Sequence, residues 1–214
     1  SMGNLNAHPV GRLQQHYGLT NFVETGLGPT AVGLRTALRL PFEWLRSVEG
    51  LPSIALRAAE VVRTQAGPGR WEIVVEDSAV ALPDIIAAMP PGPALWWLDA
   101  HYPRHYDGDG VVDTPLRAEV EAIVTSKRDH WSDVLLMDDW RIYGGAYGSG
   151  KLPLEAKGIT AGDPADATAI LEMLFPSHTV YLDQREGGYL VALPRRCERP
   201  ELPATYGELC ATSA

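Results

Sequence analysis

Basic side chains are scarce in this chain. Only 18 of its 214 residues are lysine or arginine, against 27 aspartates and glutamates, for a formal net charge of −9. No basic cluster extends beyond a pair such as Arg195-Arg196. Duplex nucleic acid repels such a surface, so a nucleic-acid partner is not expected. Apolar runs long enough to span a bilayer are also missing, so no membrane partner is expected. The N-terminus lacks the charged-then-apolar pattern of a secretory signal, and Ser1-Met2 reads as a cloning remnant. Cysteine is limited to Cys197 and Cys210. Their spacing fits neither a metal site nor a disulfide framework, although a single bridge between them stays open. The expected location is a reducing cytoplasm.

What is present is an ordinary globular composition, 45% hydrophobic and 21% charged, in a length suited to one large domain. Short apolar segments alternate with helical ones, which implies a mainly parallel sheet covered by helices on both faces. Strands are expected at 21–24, 44–49, 71–75, 94–98 and 134–137. Helices are expected at 7–17, 30–38, 52–65, 79–89, 114–126 and 163–175. Thr114-Pro115 and Asp163-Pro164 read as cap and first-turn signals. Segments 179–182 and 189–193, separated by 183–188, close the pattern as an antiparallel hairpin. The expected fold class is therefore α/β: a Rossmann-like, mainly parallel seven-stranded sheet with a C-terminal antiparallel hairpin. It forms one domain over 1–214, with 1–19 a helical lead-in and 198–214 a loose tail.

Every expected parallel strand ends in acid: Glu24, Glu49, Asp77, Asp99, and Asp138 with Asp139. Taken singly, such acids are more often caps or solvated loop residues. Together they mark the rim where open α/β sheets bind ligands. In the turn Glu24-Thr25-Gly26-Leu27-Gly28-Pro29-Thr30, Gly26 and Gly28 permit close backbone approach to a ligand. No third glycine completes the dinucleotide fingerprint, which disfavours a dinucleotide oxidoreductase. Glu24 suits a ligand bearing a cationic amine. Glu49 stands where an acid can bind ribose hydroxyls, and Asp77-Ser78 where an adenine amino group can be held.

These segments, Phe22 to Gly28, Ser47-Val48-Glu49 and Glu76-Asp77-Ser78, resemble the first three motifs of class I S-adenosylmethionine-dependent methyltransferases. The resemblance runs in order over residues 20–193. It implies a cofactor site at Glu24, Thr25, Gly26, Gly28, Thr30, Glu49, Asp77 and Ser78. A second constellation, Asp99 and His101 with Asp138-Asp139, resembles the metal-dependent macrocin-type sugar O-methyltransferases. That likeness implies a divalent cation such as Mg²⁺ on Asp99, Asp138 and Asp139, with His101 and Asp99 in catalysis. The implied activity is O-methylation of a hydroxylated small-molecule acceptor, and a homo-oligomer stays open. The acid pair reads equally well as a turn or helix cap, and His101 as a loop histidine bonded to backbone. A metal-free methyltransferase with His101 as base, and a non-catalytic adenosyl-binding module, remain alternatives.

Other signals weaken on inspection. Gly145 to Lys151 satisfies most of a phosphate loop, but Leu152 and Pro153 replace the hydroxyl residue and the helix that should follow. The Asp107-Gly108-Asp109-Gly110 stretch lacks the downstream acid of a calcium loop. Its surrounding loop, 102–112, is a candidate lid. Trp140, Arg141, Tyr143 and Tyr147 are either substrate contacts or packing residues at the sheet edge.

Overall fold

A computed structural model describes residues 4–67, 69–101, 114–138, 140–143, 163–183 and 188–195. Seven strands form one sheet: β1 (Asn21–Thr25), β2 (Trp44–Glu49), β3 (Trp71–Val75), β4 (Ala94–Leu98), β5 (Val134–Met137), β6 (His178–Asp183) and β7 (Tyr189–Pro194). Their order is β3-β2-β1-β4-β5-β7-β6. The first five are parallel, and β7 pairs antiparallel with both β5 and β6. The expected seven-stranded architecture with its terminal hairpin is the one found.

Among the described residues, six helices cover the sheet: α1 (Val10–Tyr17), α2 (Val32–Leu38), α3 (Pro52–Arg63), α4 (Ser78–Ala88), α5 (Leu116–Thr125) and α6 (Pro164–Leu174). Alternating strand residues face opposite layers. Val23, Trp96, Leu98, Leu135 and Met137 pack with Leu82, Ile85, Val120, Ile123 and Leu174 of α4 to α6. Phe22, Leu45, Leu95, Trp97 and Leu136 pack with Leu13, Leu34, Ala58 and Val62 of α1 to α3. Burying each such side chain contributes about 1.5–3 kcal/mol. Central strand β4 is buried at every position, as a two-faced strand must be.

Several boundaries differ from expectation for local reasons. Residues Leu5–Ala7 form a short 3-10 turn, capped when the Asn4 side chain accepts a hydrogen bond from the Asn6 N–H, and α1 starts only at Val10. Helix α2 starts at Val32 because Ala31 is left-handed, with φ of 47°. Thr114 does not cap α5: Pro115 takes that place and provides no side-chain hydrogen bond. Asp163 does cap α6, accepting from the Ala165 N–H.

At the amino end of the sheet, Asp133 is fully buried. Its carboxylate accepts from the Ala94 N–H and the Trp96 indole N–H, both at 2.8 Å, and from the Arg128 guanidinium. His178 donates from Nε2 to the Asp133 carbonyl at 3.0 Å. Burial pushes the His178 imidazole down to about 4, so it is neutral there.

Candidate active site

The carboxyl ends of β3, β2, β1, β4 and β5 form a continuous rim. Strand order reverses between β1 and β4, and ligands bind at such switch points. Gly26 sits at this point with φ of 76°. A Cβ added there would lie 2.4 Å from the Asp99 carbonyl oxygen, so the turn after β1 and the end of β4 meet backbone to backbone. The Gly26 and Leu27 N–H groups donate to the Val48 carbonyl, and the Asp99 N–H donates to the Thr25 carbonyl. The turn is thereby tied to both neighbouring strands.

The acids beneath the turn are structural participants as well as candidate ligands. Glu49 accepts from the Gly28 N–H and the Leu51 N–H, each at 3.0 Å, so it clamps the glycine turn onto β2. Burial raises the Glu49 carboxyl above its ordinary value. Glu24 is buried and accepts from the Ser47 hydroxyl at 2.8 Å. The Leu34 N–H, an unpaired donor of the first turn of α2, also faces it. Gly33 leaves room for this carboxyl, because a Cβ there would stand 1.8 Å from Glu24 Oε1. Burial pushes Glu24 up to about 8.

That shift has a sign. A carboxyl whose folded value lies above its unfolded value of 4.5 stabilises the fold fully below pH 4.5 and loses that contribution as pH rises through about 8. The melting temperature of the unliganded protein should therefore fall between these limits. Glu24→Gln keeps an acceptor for Ser47 and should remove much of the slope. A slope unchanged in that variant would show that Glu24 titrates as an ordinary carboxyl.

Among the described residues, three cavities lie along the rim. One of about 160 Å³ lies between the glycine turn, Glu49, Leu51, Ile54, Glu76, Ser78 and the segment Asp99 to His101. A second, of about 270 Å³, lies between Glu24, Gly26, Thr30, Trp97 and Asp99. A third, of about 10 Å³, lies between Asp99, His101, Leu116, Glu119, Asp138 and Tyr143. Asp99 borders all three, and His101 borders the first and third. His101 Nδ1 stands 4.0 Å from Asp99 Oδ1, at the outer limit of an ion pair. A larger groove of about 840 Å³ between α4 and α5 lies at the opposite end of the sheet, away from the strand-end acids.

The remaining sequence candidates divide by position. Asp77 caps α4 by accepting from the Ala79 N–H at 2.8 Å, and its neighbours Glu76 and Ser78 are the ones that border the first cavity. Thr25 is buried beneath the turn, and its hydroxyl accepts from the Asp99 N–H at 3.3 Å. Asp138 is buried at the third cavity, while Asp139 lies outside the described residues. So do the 102–112 loop, Tyr147, the glycine stretch 145–151 and both cysteines. Trp140 and Tyr143 are buried packing residues. Among the described residues no group of three His, Cys, Asp or Glu could hold a metal ion, so the expected magnesium site finds no support there.

The polar bordering residues Asn4, Asn6 and Glu119 were not among the sequence candidates. Asn4 and Asn6 border the second cavity from the N-terminal turn, in a segment expected only as lead-in. Glu119 is fully buried on α5. Its signal was legible: Leu116, Glu119, Val120 and Ile123 share one helical stripe, and an acid among apolar core positions is unusual. Burial pushes Glu119 up to about 7.

No protein-family model and no curated protein matches the chain by sequence. Solved structures do match by shape. The chain is similar to a methyltransferase from Podospora anserina bound to S-adenosylhomocysteine (TM-score 0.55, 13% identity, 82% of this chain and 72% of that one). It is similar to the O-methyltransferase TomG of Streptomyces achromogenes bound to S-adenosylmethionine (0.55, 16%, 91% and 81%). This is the methyltransferase fold. A spermidine synthase with a transition-state analogue is equally similar (0.55, 15%, 87% and 58%), so the methyltransferase fold does not by itself determine the reaction.

Proposed function

We propose that the chain is an S-adenosylmethionine-dependent methyltransferase that methylates an oxygen of a hydroxylated small molecule. The observation that carries this reading is the Asp99–His101 wall, shared by the cavity at the glycine turn and the small cavity beneath β5. A cofactor on one side and an acceptor on the other would meet across it. The ribose would face Glu49, the adenine Ser78, and the amino-acid end Glu24. When bound, the cofactor would supply a methyl group to the acceptor's hydroxyl oxygen, leaving as S-adenosylhomocysteine, and His101 would take the hydroxyl proton. Positioning the two reactants supplies much of the rate. Calorimetry with S-adenosylhomocysteine tests the cofactor reading. Binding in the micromolar range is expected, and no heat at high micromolar concentration would remove the proposal. Binding without turnover for any hydroxylated acceptor would leave a non-catalytic adenosyl-binding module.

The finer reading adds a divalent cation on Asp99, Asp138 and Asp139. Asp99 and Asp138 border one cavity, but these two carboxylates alone fall short of the oxygen set such an ion takes, so this reading rests on the sequence resemblance. When bound the cation would lower the pKa of an acceptor hydroxyl. Transfer that survives both EDTA and Asp138→Ala would make the acids metal-free.

Asn4 and Asn6 extend the cofactor site to a carboxylate. Asn4 Oδ1 accepts from the Asn6 N–H, which leaves the Asn4 NH₂ group as a donor beside the cavity. The Asn6 side-chain amide lies 2.6 Å from the Thr36 hydroxyl, whose single proton also faces the Val32 carbonyl at 2.8 Å. Asn6→Asp should weaken S-adenosylhomocysteine about tenfold by placing like charges together. It should leave 5′-methylthioadenosine, which lacks the amino-acid end, unaffected. Equal losses for both ligands would mean that Asn6 only supports the turn.

A further inference from the structure

We propose that the small cavity between Asp99, Glu119 and Asp138 is a subsite for an ammonium group, so that the acceptor is a hydroxylated molecule that also carries a protonated amine. This rests on the reading of the Asp99–His101 wall as the place of transfer, and it names the acceptor's chemical class.

Glu119 is the starting point. It has no exposed surface, and neither carboxyl oxygen makes a hydrogen bond among the described residues. The Ser78 and Thr25 hydroxyls face it but do not reach good geometry. A buried carboxyl is costly in its charged form, and its charge is carried only where a ligand or ion compensates it; otherwise it takes up a proton. Asp77 adds negative charge near Glu119, and among the described residues no lysine or arginine borders the cavity. Apart from His101 and Tyr143, the ionisable groups that border it among the described residues are acidic.

Size and geometry select the cation. The space of about 10 Å³ accepts one water-sized group. An ammonium has that size and needs no fixed coordination geometry, and its donors can be taken by Glu119 with the acids that border the same space. A divalent metal needs several oxygens at short, set distances, and among the described residues no such trio exists. Anchored there, the acceptor would hold a neighbouring hydroxyl against His101, on the face of the wall opposite the cofactor. The arrangement also separates charged from neutral acceptors of equal shape, because a neutral analogue leaves Glu119 unpaired.

The test uses the full chain, titrated with and without saturating S-adenosylhomocysteine. The probes are 2-aminoethanol and glucosamine, each set against its uncharged counterpart, ethylene glycol and N-acetylglucosamine. Dissociation constants come from calorimetry and melting-point shifts from thermal denaturation. Each amine is expected to bind about tenfold more tightly than its counterpart, and Glu119→Gln is expected to abolish that preference. Asp138→Asn, which removes a second carboxylate from the same cavity, should reduce it and decides the matter if Glu119→Gln does not fold. Equal binding of charged and neutral probes overturns the proposal, as does a preference that survives both substitutions. Magnesium chloride producing the Glu119-dependent stabilisation in place of the amines also overturns it. Absence of S-adenosylhomocysteine binding defeats the methyltransferase reading instead, and leaves the amine titration to be judged by itself.

Discussion

Asp133→Ala is expected to lower the unfolding free energy by about 3–5 kcal/mol, the range for removing one partner of a buried ion pair. Asp133 has no exposed surface, and burial alone pushes its carboxyl up, against the pull of Arg128, Trp96 and Ala94. Removing the side chain leaves the Trp96 indole N–H, the Ala94 N–H and the Arg128 guanidinium without their acceptor at once. Arg128 still donates to the Gly92 carbonyl, but its Nε already lacks a hydrogen bond. The measurement is denaturant unfolding at neutral pH. Because Asp133 lies at the amino end of the sheet, binding of S-adenosylhomocysteine to the folded fraction should be unchanged. A loss below about 1 kcal/mol would mean that water replaces the carboxylate, as at an exposed pair.

His101→Ala is expected to reduce methyl transfer by about 10²–10⁴-fold, the usual contribution of a general base. Its affinity for S-adenosylhomocysteine should change little, since the glycine turn, Glu49 and Glu24 are untouched. The geometry behind this is the position of His101 on both the cofactor cavity and the acceptor cavity, with Asp99 beside it. At 4.0 Å the Asp99–His101 pair is too long for a hydrogen bond, and catalytic contacts of this kind commonly tighten only when substrate is bound. Asp99→Asn should then lower the rate less than His101→Ala does. Release of S-adenosylhomocysteine in the presence of an amine-bearing alcohol provides the assay. Full activity in His101→Ala would assign proton removal to another group.

The strands were readable in the sequence because their apolar runs are short, bounded by turn residues and terminated by acids. The uninterrupted apolar run 94–98, bounded by Pro93 and Asp99, reads as a strand buried on both faces, and it is one. Functional residues were harder to see where their roles depend on contacts between distant segments. Glu49 looked like a free ligand from its spacing, yet two backbone N–H groups already occupy it. Asp77 and Thr25 were placed correctly along the chain, but a cap and a buried hydroxyl are local solutions that spacing does not distinguish from ligands. Asn4 and Asn6 reach the rim only because the N-terminal turn packs Leu5 beneath them and joins Asn6 to Thr36 on α2. Glu119 carried a visible signal, an acid on an apolar stripe, whose meaning appears only when β4, β5 and α5 converge.

The placement of β7 has a consequence for how the chain acquires its shape. β5 carries Asp138 at its end, and its outer edge pairs with β7, which begins some fifty residues later. Until Tyr189 to Pro194 has been synthesised, β5 presents an open row of backbone donors and acceptors. Chains growing side by side on neighbouring ribosomes would therefore be most prone to cross-pairing during that interval. The hairpin works as a late closure, and anything that delays its emergence prolongs the period in which a nearly complete sheet is adhesive.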